Sequence, residues 1–288
     1  MIPDTRIAVI GLGLMGGSMA RALHVRGVYV LGFDRDGTQL EAALRVGAVR
    51  EALTSDLEGL AAADVVVLAL PVDATIALLP SLAARLTGAR LVMDLGSTKR
   101  SIVAAADSAG LGTRFVGAHP LTGSHRTGWG ASRASLFDDA RVFLCPTPST
   151  TDGALQLAIS LWRELRAGVE VLDATLHDEQ MAWRSHLPHL VSSALAATLR
   201  EAGIRRSALG PGGRDMTRLV GGSPAMWHPI IEDNAAAIAD AMAGFERELR
   251  TLREAVLAGD RDAIAAFLQG GVDWFDGEPA RVLTRGTA

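Results

Sequence analysis

Residues 6–18, RIAVIGLGLMGGS, join a short apolar run, three spaced glycines and the opening of a helix. The run predicts a buried strand feeding a phosphate-binding turn. Gly11, Gly13 and Gly16 fit G-x-G-x-x-G, in which the first glycine permits a tight turn, the second lets backbone approach a pyrophosphate and the third lets helix and strand pack closely. A helix beginning at Leu14 offers the N–H groups of Leu14 and Met15, at the positive end of its dipole, to the phosphates. Glycines at this spacing recur by chance, so the context decides. A second apolar run over residues 28–33 ends on Asp34, about 20 residues downstream, where the acid that binds a ribose belongs. Its carboxylate can accept from ribose hydroxyls and would repel a 2′-phosphate, which predicts NAD over NADP. Arg35 tempers that preference, because an adjacent arginine can accommodate the phosphate.

The alternation continues along the chain. Residues 64–70, 90–95, 114–118, 141–144 and 169–172 read as further strands, and residues 37–46, 73–85 and 153–166 as helices between them. Continuous apolar runs such as DVVVLAL suit parallel strands covered on both faces. The predicted fold is α/β, a Rossmann-type doubly wound parallel sheet over residues 1–173, followed by an all-helical domain over residues 174–288. In the second domain residues 226–257 read as one long helix, a length that commonly gains stability by packing along a partner. A homodimer built through the helical domain is expected, with residues 277–288 lacking periodicity.

The bulk properties agree with a small-molecule enzyme. The 288 residues are 49% hydrophobic and 21% charged, enough for two substantial cores. A formal charge of −4 without a sustained basic run argues against a nucleic-acid surface; the pairs His125–Arg126 and Arg205–Arg206 are only local concentrations of positive charge. Cys145 is the single cysteine, which excludes an intrachain disulfide framework, and its neighbours in RVFLCP predict a buried strand thiol. No basic-then-apolar leader opens the chain and no apolar stretch approaches the ~20 residues of a spanning helix. A soluble, cytoplasmic protein without membrane partners is the expectation.

Sheets of this kind bind ligands at the carboxyl ends of their strands, so the polar groups there carry the candidate chemistry. Gly96-Ser97-Thr98-Lys99 follows one predicted strand, either as an ordinary helix N-cap through Ser97 or Thr98 or as part of a site. Gly117-Ala118-His119-Pro120 places a histidine at the ligand edge of the sheet, where the catalytic reading outweighs the structural one. His177, His186 and His189 lie close in sequence, but their spacing and the proline between the last two do not form a recognised zinc motif, so no metal is expected. Arg214 and Arg218 are four apart and on a helix would share a face suited to a carboxylate. Trp227 on its own reads as core or interface.

In this order, GLGLMGGS, GSTK, GAHPLTGS, HDEQMAWRSHLPH, GRDMTR and the MW of Met226-Trp227 resemble the prephenate and arogenate dehydrogenase family of tyrosine biosynthesis over nearly the whole chain. The resemblance implies an NAD-dependent oxidoreductase that acts on a CH–OH group with decarboxylation. It implies that His119 is the catalytic histidine bonded to the ring hydroxyl, that Ser97 orients that hydroxyl and the nicotinamide, and that Arg218 binds a substrate carboxylate. His186, His189 and Trp227 would line or support the substrate pocket. Many relatives carry Glu where this chain has His125, and a cationic pair at His125 and Arg126 would favour prephenate over the ammonium-bearing arogenate. The β-hydroxyacid dehydrogenases share the opening GLGxMG but depend on a lysine in the linker region, whereas Lys99 is the only lysine of this chain. A chain ending this soon after its helices is expected to lack a C-terminal regulatory domain.

Overall fold

The computed structural model describes residues 5–86, 88–123 and 126–277. The predicted alternation is present: β1 (Arg6–Ile10), α1 (Leu14–His24), β2 (Tyr29–Phe33), α2 (Gly37–Arg45), β3 (Glu51–Ala52), β4 (Val65–Leu68), α3 (Val72–Leu82), β5 (Leu91–Asp94), α4 (Arg100–Ser108), β6 (Phe115–Pro120), β7 (Arg141–Pro146), α5 (Asp152–Glu164) and β8 (Gly168–Val171). The sheet runs β3-β2-β1-β4-β5-β6-β7-β8. Neighbouring strands pair in parallel except β6 and β7, which pair antiparallel and set Phe143 opposite His119, so β7 and β8 run against the other six. An apolar run reads the same in either direction, so the reversal has no signature in the strand itself.

The inner strands are buried on both sides, and β1 shows why residues 7–10 are all apolar. Ile7 and Val9 enter one core with Met19, Leu23 and Trp162 of α1 and α5. Ala8 and Ile10 enter the other with Leu79, Leu82, Ile102 and Val103 of α3 and α4. Truncating a fully buried Leu23 to alanine would cost about 2–5 kcal/mol. Cys145 is wholly buried in β7, and burial pushes its thiol up to about 12.

Beyond β8 the chain is helical: α6 (Ala174–Met181), α7 (Leu187–Glu201), α8 (Pro211–Met216), α9 (Pro224–Asp233), α10 (Ala235–Ala258) and α11 (Arg261–Phe275). Asp173 starts this region, its side chain accepting from the N–H groups of Thr175 and Leu176. A π-helical turn, Ala182–His186, links α6 to α7 immediately before Pro188, and such turns gather at functional sites. By compactness the chain divides into residues 1–238, which hold the sheet and α6–α9, and residues 239–288.

Two expectations are corrected here. The helix foreseen over residues 226–257 is two helices, broken at Asn234, whose φ of −110° and ψ of 26° leave the helical region. Asn234 is fully buried, and its amide is drawn to Asp178 and His186 instead of continuing the helix surface. Arg214 and Arg218 do not share a helix face: α8 stops at Met216, and Arg218 opens a separate 3₁₀ turn, Arg218–Gly221.

Candidate active site

The glycine turn is shaped by three different constraints. Gly11 has φ +92°, a left-handed conformation that favours glycine, and a Cβ there would lie 2.4 Å from the carbonyl oxygen of Ala69. At Gly16 a Cβ would come within 1.8 Å of the Gly11 carbonyl oxygen, so α1 seats directly on the turn. Around Gly13 nothing approaches within 4 Å of the Cβ position, and no side chain caps α1. The leading N–H groups of α1, including those of the half-buried Leu14 and Met15, therefore have no side-chain cap and are available to an anion. Asp34, following β2, accepts from the backbone N–H of Leu12 at 2.6 Å through one oxygen and from that of Asp36 at 2.8 Å through the other. Each oxygen keeps a lone pair for a ribose hydroxyl. Arg35 beside it is exposed. This cradle fits a dinucleotide.

Across the same sheet edge, β5 and β6 pair Asp94 with Gly117, which sets the turn carrying Ser97 beside the end of β6 carrying His119. Ser97 is half-buried in that turn. Neither Ser97 nor Thr98 caps α4: the N-cap position falls on Lys99, and the backbone N–H groups of Lys99 and Arg100 donate instead to the carboxylate of Asp178, at 2.8 and 2.9 Å. The Lys99 ammonium pairs with Asp94, both side chains being fully buried. Glycine at 117 leaves room for it, since a Cβ would meet Lys99 Cδ at 2.8 Å.

His119 is 9% exposed, and its Nδ1 lies 2.9 Å from Nε2 of His177. Nδ1 of His177 in turn lies 2.8 Å from Asp178. Burial, reinforced by the nearby His177 and Lys99, holds the His119 imidazole well below its usual range and so neutral. His177 is likewise lowered by burial, against the opposing pull of Asp178. Burial alone would raise Asp178, but the hydrogen bonds from His177, Arg100 and Lys99 bring its carboxyl below the ordinary range.

A second group forms on the π-helical turn, α7 and α9. His189 stacks on Trp227, and His186 meets the same indole edge-on with ring centroids 6.0 Å apart. His186 is buried beside Asn234, which donates to the Asp178 carbonyl and lies 3.2 Å from His186 Nδ1. Burial lowers His186 to about 4. Arg218 is exposed on the 3₁₀ turn that packs against α7. His125 lies outside the described residues. Among the described residues, no group of three or more His, Cys, Asp or Glu side chains is placed to hold a metal ion, and no helix is long and apolar enough to cross a membrane.

The roles of His177, Asp178 and Asn234 have no local signature in the sequence. The adjacent His-Asp pair was visible, but its partner His119 lies 58 residues away, so nothing local announced it.

The family model described as "Prephenate dehydrogenase, nucleotide-binding domain" matches residues 19–171, and that described as "Prephenate dehydrogenase, dimerization domain" matches residues 173–270. The chain belongs to the prephenate dehydrogenase family. Members of this family with which it compares include a prephenate dehydrogenase of Bacillus subtilis, 33% identical over 96% of this chain and 76% of the relative. Among solved structures it is similar to the prephenate dehydrogenase of A. aeolicus in complex with hydroxyphenyl propionate and NAD+, 30% identical with a TM-score of 0.88 over 94% of this chain and 98% of that one. It is also similar to the arogenate dehydrogenase of Synechocystis, 29% identical with a TM-score of 0.81 over 94% and 99% of the two chains.

Proposed function

We propose that this chain catalyses the NAD-dependent oxidative decarboxylation of prephenate to 4-hydroxyphenylpyruvate. The observation that carries this reading is a neutral, nearly buried His119 at the carboxyl end of β6, on the sheet edge shared with the glycine turn. Gly11, Gly13, Gly16, Leu14, Met15 and Asp34 would hold the dinucleotide, with Arg35 at its margin and Ser97 toward the nicotinamide. When bound, the nicotinamide supplies the acceptor for the hydride that leaves the hydroxyl-bearing ring carbon.

His119 takes the hydroxyl proton as that carbon is oxidised. The ring carboxylate departs as carbon dioxide, the electron pair of the broken bond enters the ring and makes it aromatic, and the ring oxygen takes back the proton held on His119 to give the product hydroxyl. Aromatisation drives the reaction, so the protein contributes positioning and a base. Ser97 orients the hydroxyl, and Arg218 binds the side-chain carboxylate of the substrate. The stacked His189 and Trp227, with His186 behind them, form a wall of the substrate pocket. One arginine suffices, because a cluster around the ring carboxylate would stabilise the group that must leave.

Residues 1–173 act in this reading as the dinucleotide domain and residues 174–288 as the substrate and dimerisation domain of a cytoplasmic homodimer. The dimer is supported by the description of the second family model and by the apolar surface of the C-terminal unit, where Leu268, Trp274 and Phe275 are 62%, 75% and 82% exposed; patches of this kind mark interaction surfaces. Steady-state NADH formation with prephenate and with arogenate, each with NAD and NADP, tests the whole reading. A kcat/KM highest for prephenate with NAD is the expected outcome, and turnover of neither substrate would overturn it.

A further inference from the structure

We propose that Asp178 and His177 form a positioning relay that fixes the tautomer of His119, leaving its Nε2 lone pair as the proton acceptor. The inference rests on the reading of His119 as the base and adds two residues to the machinery.

Asp178 faces three donors: the backbone N–H groups of Lys99 and Arg100 and the Nδ1 of His177. An ionised carboxylate only accepts, so the ring nitrogen turned toward it carries a proton. A neutral imidazole has one N–H and one lone pair, and Nε2 of His177 is therefore an acceptor. It lies 2.9 Å from Nδ1 of His119, and two lone pairs cannot face each other at that distance. His119 must place its proton on Nδ1 and keep Nε2 unprotonated. One assignment at Asp178 thus propagates through two rings to the atom that receives the substrate's proton.

The surroundings hold the relay still. His177 is fully buried and Asp178 is 2% exposed, so no water competes for these bonds. Phe143, the cross-strand partner of His119, packs edge-on against His177 with ring centroids 5.5 Å apart. Asp178 is fastened to the start of α4, the helix that follows the Ser97 turn, and its own carbonyl is held by Asn234. The same short segment therefore places Ser97 and, through Asp178, aims His119. A carboxylate needed only to cap α4 would be satisfied by the two backbone donors; the histidine between it and the base would have no part to play.

The test uses full-length protein, labelled with ¹⁵N-histidine and saturated with NAD, the signals assigned with a His119→Gln variant. His119 and His177 are both expected to show a protonated Nδ1 and an unprotonated Nε2. In Asp178→Asn, kcat is expected to fall by about 10²- to 10⁴-fold, with the KM values for prephenate and NAD within about threefold of wild type and with the His119 proton moved toward Nε2. A wild-type His119 protonated on Nε2 overturns the relay, as does an Asp178→Asn enzyme within about threefold of wild-type kcat or one whose KM values rise in step with the loss of kcat. Should the variant not fold, the wild-type spectrum decides, since it needs no substitution. A wild type with the expected tautomers that oxidised neither prephenate nor arogenate would sink the proposed function while leaving the relay standing.

Discussion

The imidazole of His189 lies stacked on the indole of Trp227, with ring centroids 3.7 Å apart and planes 17° from parallel. Gly222 closes this pair from one side: a Cβ there would stand 2.8 Å from Trp227 Nε1 and 3.0 Å from His189 Cε1. Because the backbone of Gly222 is extended, alanine fits the chain but displaces the stack. Gly222→Ala is expected to raise the KM for prephenate about tenfold, or about 1.4 kcal/mol, with the KM for NAD unchanged. An unaltered prephenate KM would remove the stack from the substrate pocket.

Two glycines of the phosphate turn should respond in opposite ways. Gly16→Ala drives a methyl into the Gly11 carbonyl and against the Ala69 side chain, so it should destabilise the protein by about 1–3 kcal/mol in urea unfolding. Gly13→Ala meets nothing of the protein within 4 Å. Its stability should stay within about 0.5 kcal/mol of wild type while the Kd for NAD, read by calorimetry, rises at least about tenfold. Equal stability losses in the two variants would contradict this division of labour.

Removing the proposed base should separate chemistry from binding. His119→Asn should leave NAD affinity nearly intact and lower kcat by about 10²- to 10⁴-fold. Arg218→Ala should act chiefly through KM, because the proposed carboxylate contact, made in both ground and transition states, would be uniform binding. Wild-type turnover by His119→Asn would refute the assignment of the base.

The buried histidines make the fold sensitive to acid. Burial lowers His186 to about 4, and lowers His119 and His177 as well. In the unfolded chain each takes up a proton below about pH 6.5. Between those values the unfolded state binds more protons than the folded one, so stability is fully present above about pH 6.5 and is lost as pH falls toward 4. For His186, 1% exposed, the loss amounts to about 2–3 kcal/mol by pH 4.5. Urea unfolding at pH 7 and pH 4.5 measures it, and His186→Gln should show a shallower decline. A variant as acid-sensitive as wild type would place the effect elsewhere.

The legible parts of this protein were the local ones. A glycine turn, the strand before it and Asp34 after β2 are bound to one another through near-neighbour geometry, and three glycines with distinct steric duties leave a pattern in thirteen letters. His119 stood out because a polar residue ended an apolar strand. What escaped depends on groups distant in sequence. The helix foreseen through residue 234 breaks because Asn234 has partners on other helices, and propensity favoured continuing it. The face shared by Arg214 and Arg218 fails where Thr217, buried with its hydroxyl turned back to the Gly213 carbonyl, ends α8. The cap of α4 comes from Asp178 on α6, so the local candidates Ser97 and Thr98 were the wrong place to look.

The burial of Lys99 has a practical corollary. Its ε-amine is the only one in the chain, and in the folded protein it is sealed against Asp94 with no exposed surface. Acylating reagents, amine-coupling resins and lysine-specific proteases thus find no side-chain target on the native molecule. Modification at Lys99 would occur only as fast as the sheet opens beneath α4, so a single acylated peptide, followed by mass spectrometry over time, would clock the opening of the core in unlabelled enzyme.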